Sequence, residues 1–507
     1  MLAGTIVSSF YILAGAVSAV GALNAVPHNP HKICKILAGG SETVDDAPAI
    51  RRAFRECNHG GKIVFQNTTY HVNTVLKTTG LVDVDIDLYG TLLWGTDIPY
   101  WRNNSLPVGY QNMSTAWVIS GKHLRFNGHG HGTFDGNGQA WYDFTAGESN
   151  LPGRPHALTV ANTTNAVFQG IRFVQSQMWT LSIIHTHHTL FDSIYVNNTS
   201  ANKNSAHNTD GADTIYSSHI TFNNWFVDNG DDSISVKANS TDILITNSTF
   251  HRGLGIAVGS IGQYRDAFET IERVRAENIV FDGTLHALYF KTWTGEQVSY
   301  PPNGGGGGLG YATDLSCSNL TAQNLRGSAF SISQCTSFSD AVGNCTSSKF
   351  EIGNITVNGI SGTTKKNTVA SFQCSAVKPC RNIALEGVDL VLASNGTKAV
   401  DYLCGNVIGT TGFNCTGKAC EGKSATGEWA LWQTLLLADA YDILVQDEII
   451  TEPKTPSRPS IRASAPTIRR RSYLNSSRRT RPEEASPNNA KTGVGRKQKL
   501  WTAENGV

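Results

Sequence analysis

The chain has 507 residues, 40% of them hydrophobic, and a formal net charge of +1. That is enough apolar material for two or three ordinary domains or for one elongated repeat, and it excludes a chain too polar to build a core. The charge is uneven: residues 451–507 carry thirteen Lys/Arg against four Glu, which leaves residues 1–450 at −8, so no nucleic-acid partner is expected for the body.

The N-terminus runs from Met1 through an apolar stretch (Ile6, Val7, Phe10, Tyr11, Ile12, Leu13) into small residues, the pattern of a secretory signal over residues 1–25 without the usual basic start. No later apolar run approaches the roughly eighteen residues that span a bilayer, so a secreted, extracellular protein with no membrane partner is expected. Ten cysteines and frequent Asn-X-Ser/Thr acceptors, among them Asn67, Asn103, Asn162, Asn247, Asn319 and Asn354, suit that oxidising, glycosylating compartment. The expected disulfides are Cys34/Cys57, Cys335/Cys345, Cys374/Cys380 and Cys415/Cys420, with Cys317 and Cys404 left over; no pair has CxxC zinc spacing.

Asp45-Asp46-Ala47-Pro48 opens an amphipathic segment through Phe54, with Asp as N-cap and Pro in the first turn. From about residue 160 a short motif recurs: Phe168-Gln-Gly-Ile171, Phe191-Asp-Ser-Ile194, Phe222-Asn-Asn-Trp225 and Ile245-Thr-Asn-Ser248, 23, 31 and 23 residues apart. Later copies are read at Asn278–Phe281, Asn319–Thr321, Asn354–Val357 and Ile383–Val388. Periods in the twenties, built of strand residues and punctuated by Gly, Asn and Asp, indicate the coils of a solenoid. A leucine-rich consensus is absent, so the fold class is all-β: a right-handed parallel β-helix over residues 26–425, its open end plugged by the Asp45–Phe54 helix. Residues 426–507 are expected to form an extension, basic, Pro/Ser-rich and disordered from about residue 451.

The longest of these spacings contains Asn208-Thr209-Asp210, and the next coil carries Gly230-Asp231-Asp232. Three carboxylates on successive coils supply what glycoside hydrolysis needs, a protonated acid at the leaving oxygen and a carboxylate that activates water or attacks carbon. Neighbours on a regular strand point to opposite faces, so Asp231 and Asp232 can share a site only where the strand ends or bends, and Gly230 permits a bend. Like charges repel, so one carboxyl keeps its proton and becomes the general acid. The cluster His185, His187 and His188 has no carboxylate or Cys at ligand spacing; no metal and no cofactor are expected.

Together with Gly255-Ile-Ala-Val-Gly-Ser-Ile-Gly262-Gln263-Tyr264 and Tyr289-Phe-Lys291-Thr-Trp-Thr-Gly295, these motifs resemble glycoside hydrolase family 28, the polygalacturonases and rhamnogalacturonases, and most closely its fungal exo-acting branch. The resemblance covers residues 30–420. It implies an inverting hydrolase of pectic polysaccharide, monomeric and metal-free, with Asp231 as proton donor and Asp210 and Asp232 activating water. Asn208, Lys291, Tyr289, Gln263 and Tyr264 would contact substrate, Lys291 as a point charge for a carboxylate. Two positions depart from the family pattern: Leu254 stands where polygalacturonases carry His, and Tyr289 where they carry Arg. Losing the arginine removes a bidentate carboxylate fork, whereas a tyrosine suits a less charged sugar such as rhamnose. The readings are therefore exo-galacturonidase on polygalacturonate, α-L-rhamnosidase or rhamnogalacturonan hydrolase, and an inactive pectin-binding solenoid.

Overall fold

The computed structural model describes residues 30–336 and 346–419; the expected signal peptide, Cys345, Cys420 and the extension from 426 lie outside the described residues. The strands of the main sheet stack in parallel register into a right-handed β-helix. One inward column runs Cys34, Ile63, Ile86, Phe126, Phe168, Phe191, Phe222, Ile245, Ala276, Cys317, Val357, Leu385. All twelve are buried, each contributing roughly 1–3 kcal/mol when its side chain leaves water. The rings of Phe168 and Phe191 stack at 5.1 Å, as the coil spacing of about 4.8 Å allows.

The repeats at Phe168, Phe191, Phe222 and Ile245 hold the register read from the sequence. Asn354–Val357 does not align with Asn319: Ile355 pairs with Leu315, while Leu320 pairs with Ile360. Both columns open on a residue in the left-handed region, Asp314 (φ 59°) and Asn354 in one, Asn278 and Asn319 in the other, so their local signatures look alike. At the second turn the side-chain amides form a ladder: Asn223 donates to Asp192 (2.6 Å), Asn247 to Asn223 (2.8 Å), Asn278 to Asn247 (3.1 Å) and Asn319 to Asn278 (2.7 Å).

The helix Ala47–Glu56 buries Ala47, Ile50, Ala53 and Phe54, whose ring meets Phe65 and Trp117. Asp46 is its N-cap but makes no side-chain cap bond; its carboxylate accepts from Gly39 N (2.6 Å) and His71 N (2.8 Å), fastening the helix to the first coil. Disulfides join Cys34–Cys57 and Cys374–Cys380 as expected. Cys415 pairs with Cys404, not with Cys420, because the chain turns back along the strand Asp401–Gly405 and Thr416 N bonds Tyr402 O, bringing the two Cα atoms to 5.8 Å. Cys317 is a small apolar member of the core column, its thiol pushed up to about 12 by burial.

Candidate active site

The three aspartates meet at the N-terminal edge of adjacent strands. Asp210 precedes Ala212–Ile215, and Asp232 opens Asp232–Val236. Their backbone carbonyls are used between coils, Asp210 O accepting from Thr180 N (2.8 Å), Asp232 O from Gly211 N (2.9 Å) and Asp231 O from Leu254 N (2.8 Å). Asp232 pairs with Gly255 and Ile234 with Ile256, so Ser233 is an extra residue on its strand, a β-bulge. That bulge, with the bend before it, brings Asp231 and Asp232 to one site. Gly230 is needed for room rather than for torsion: a Cβ there would sit 2.3 Å from the carbonyl oxygen of Ala206.

One carboxylate oxygen each of Asp210, Asp231 and Asp232 lies within 4.8 Å of the other two. Asp231 accepts from Asp232 N (2.9 Å) on one oxygen and from Asn208 N (3.1 Å) on the other. Asp232 holds Lys291 Nζ at 3.2 Å and accepts the hydroxyl of Tyr289. A cation could fit three carboxylates at this spacing; the ammonium of Lys291 supplies positive charge there. Burial and then repulsion from Asp231, Asp213 and Asp232 push Asp210 well above the usual carboxylate range, and burial with the charge of Asp232 raises Asp231. Burial works against the charge of Lys291, but the attraction of Asp232, Asp231 and Asp210 raises it on balance. The cluster therefore retains a proton at mildly acidic pH, as acid–base chemistry between carboxyl groups requires.

Leu254 and Tyr289, the two departures from the family pattern, pack together with Ala257 and Leu285 in a small apolar cluster of their own. His286, which the sequence did not flag, stands against Tyr289 with ring centroids 5.0 Å apart; burial holds it down at about 4. His207 is buried beside Asp231 and lowered by burial, whereas His251 faces Asp228 and Asp282 at 3.7 Å each. On the coils before Asp210, His156 stacks on Trp179 at 4.3 Å, and the fully buried Arg154 donates from Nε to Gln177 O. Trp293, within the Tyr289–Gly295 motif, is buried.

Two loops cover this face. The amide oxygen of Asn208 accepts from Asn150 N (2.9 Å), and Asn303 donates to Ser149 O (3.3 Å), so the loop after 146 meets the loop at residues 303–308 beside the site. A strap, residues 106–115, reaches coils far along the chain: Gln111 N donates to Tyr264 Oη (3.0 Å) and its side-chain amide to Gln263 Oε1 (2.5 Å). Gln263 is wholly buried, its own amide donating to Pro302 O and Gly304 O at 3.0 Å, so it braces the loops and presents no free group. Tyr264 lines a separate cavity of about 500 Å3 with Tyr110, Tyr216 and Glu269.

Residues 70–413 match Glycosyl hydrolases family 28. The chain is 62% identical over 395 residues to the alpha-L-rhamnosidase rgxB of Aspergillus niger, covering 78% of this chain and 92% of that protein. It is 36% identical over 400 residues to a putative galacturan 1,4-alpha-galacturonidase A of Aspergillus flavus, covering 73% and 90%. Among solved structures, endo-xylogalacturonan hydrolase from Aspergillus tubingensis superposes with a TM-score of 0.65 at 27% identity, over 76% of this chain and 99% of that one. A parallel β-helix that gathers three buried aspartates beneath a lysine, matched over most of its length by pectin-degrading hydrolases, belongs to glycoside hydrolase family 28.

Proposed function

We propose that the protein is a secreted, exo-acting α-L-rhamnosidase that removes terminal rhamnose from pectic polysaccharide. One observation carries the choice of sugar: the apolar cluster of Leu254, Ala257, Leu285 and Tyr289. Tyr289 and Lys291 both engage Asp232, so the two groups nearest to a carboxylate-recognition site are already occupied. An apolar wall there suits the methyl group of a 6-deoxy sugar and offers a carboxylate no fork. The relative named an alpha-L-rhamnosidase supports the same reading. Exo action is supported by the strap and by the Ser149–Asn303 contact, which close the face on which a long chain would have to lie.

In this reading Asp231 protonates the leaving oxygen while Asp210 and Asp232 hold and deprotonate water. Asn208 orients Asp231, and Lys291 and Tyr289 fix Asp232. The resemblance to the family implies inversion, in which roughly 6.5–9.5 Å between acid and base admits the water; here one oxygen of each of the three carboxyls lies within 4.8 Å of the others. Water would then sit beside the carboxylates, shared by Asp210 and Asp232, rather than between two distant groups. NMR of the first-formed sugar tests this: the β-anomer is expected, and the α-anomer would overturn inversion.

The second reading, an exo-galacturonidase, is favoured by the ammonium of Lys291 and by relatives bearing that name. Hydrolysis of polygalacturonate, rhamnogalacturonan and an aryl α-L-rhamnoside, side by side, separates the two. Rhamnose from the second and third substrates is expected; galacturonate released from the first alone would sink the rhamnosidase.

A further inference from the structure

The cavity of about 500 Å3 beneath the strap lies on the same sheet as the aspartates but at its other edge. Asp210 precedes the strand Ala212–Ile215 and Tyr216 follows it, and six residues of extended chain set the two about 20 Å apart. Tyr264 likewise stands past the end of Gly255–Ile261. The strap brings Tyr110 against both: its ring centre lies 6.0 Å from that of Tyr216, at 86°, and 6.0 Å from that of Tyr264, at 60°. His185 stacks on Tyr216 at 5.0 Å and braces that ring. The lining grades from buried (Tyr110, Met113, Glu269) through half-buried (Tyr216, Tyr264) to exposed (Asn112), so the cavity opens to solvent.

Two polar groups in this lining lack what burial ordinarily demands. The hydroxyl of Tyr110 is buried and makes no hydrogen bond among the described residues. Glu269, 4% exposed, accepts from Gly262 N at 3.1 Å, and no Lys, Arg or His lines the cavity among the described residues. These features select among ligands. An anion would meet Glu269 with no cation to offset it. An apolar ligand would leave the carboxyl and the hydroxyl without new partners. A small ammonium suits Glu269 and the rings but fills little of the space. A neutral sugar ring answers each demand, because its C–H faces lie on tyrosine rings while its hydroxyls donate to Glu269 and accept from Tyr110.

We propose that this cavity is a second carbohydrate site, which holds a neutral pyranose at the edge of the sheet opposite the reacting carboxyls. It does not depend on which sugar the aspartates release.

The test is ligand-observed NMR titration of the full chain with methyl β-D-galactopyranoside and with its 6-carboxylate counterpart, methyl β-D-galacturonoside, a pair that differs only in the group at C6. The neutral glycoside should bind wild type and Asp231→Asn alike. Tyr216→Ala should weaken it by about tenfold through loss of a ring face. Tyr110→Phe should weaken it by about threefold to tenfold, the worth of one hydrogen bond, while leaving Tm unchanged or higher, because in the free protein that hydroxyl has no partner to lose. The galacturonoside should not displace the neutral glycoside from wild type, and Glu269→Gln should narrow the difference between the two. Absence of binding, equal binding in Tyr216→Ala, or displacement by the galacturonoside would overturn the proposal. Loss of binding in Asp231→Asn would put the sugar at the aspartates instead, and displacement by tetramethylammonium would assign the cavity to cations; either result refutes it. Should Tyr216→Ala not fold, Tyr110→Phe decides, and unchanged affinity there counts against the site.

Discussion

Asp231 is the proton donor of the proposed mechanism, so its loss is the cleanest test of catalysis. Asp231→Asn keeps the size and the bond to Asp232 N, so the fold should persist by circular dichroism while turnover falls by about 10²–10⁴, the usual worth of a general acid. A pectin-binding protein without catalysis would be indifferent to the change. Chelation should leave activity intact, since Lys291 already places a cation against the carboxylates; loss of turnover in EDTA would contradict this. Asp213 adds a stability signature. Its folded-state pKa of about 7 exceeds the unfolded value of about 3.9, so the native state binds the extra proton and stability is lost as pH rises between those values. The Tm advantage of wild type over Asp213→Asn should therefore shrink from pH 4 to pH 7. Of the residues in this site, Asp210, Asp231, Asp232 and Lys291 were legible because each lies in a short motif. His286, Arg154 and Trp179 were not, because no local motif marks them and they meet the site through the stacking of coils.

At the level of the strand, the asparagine ladder combines two demands on one residue: a left-handed backbone and an amide that both donates and accepts. Asn278 (φ 59°) shows them together. Asn278→Gly keeps the torsion and loses the ladder bonds, at about 1 kcal/mol each; Asn278→Ala should cost about 1–2 kcal/mol more, the penalty for a side chain in that region. Equal Tm values for the two variants would show that the torsion carries no cost. The same chemistry explains where the sequence misled. Turn asparagines announce a coil but do not say which corner they turn, and so Asn354 was matched to the wrong column. The bulge at Ser233 is likewise silent in sequence, since only the pairing of Asp232 and Ile234 on the next coil exposes the extra residue. The Cys404–Cys415 pairing required knowing that the chain doubles back after its last described strand.

For the molecule as a whole, the solenoid was legible from its period and its Phe168, Phe191 and Phe222 column, while the loops that shape its face were not. Their anchoring partners lie up to 154 residues away, beyond any periodicity. The strap has a mechanical consequence apart from substrate. A solenoid in which each coil touches only its neighbours can fray from either end, one coil at a time. Here Gln111, rising from an early coil, is fastened to Tyr264 and Gln263, and Gln263 in turn to Pro302 and Gly304. The coils in between are enclosed by a clasp, so they should open together. Hydrogen exchange would report this as near-uniform protection from Phe126 to Ile256, and Gln111→Ala should release the earliest of those coils to exchange before the rest.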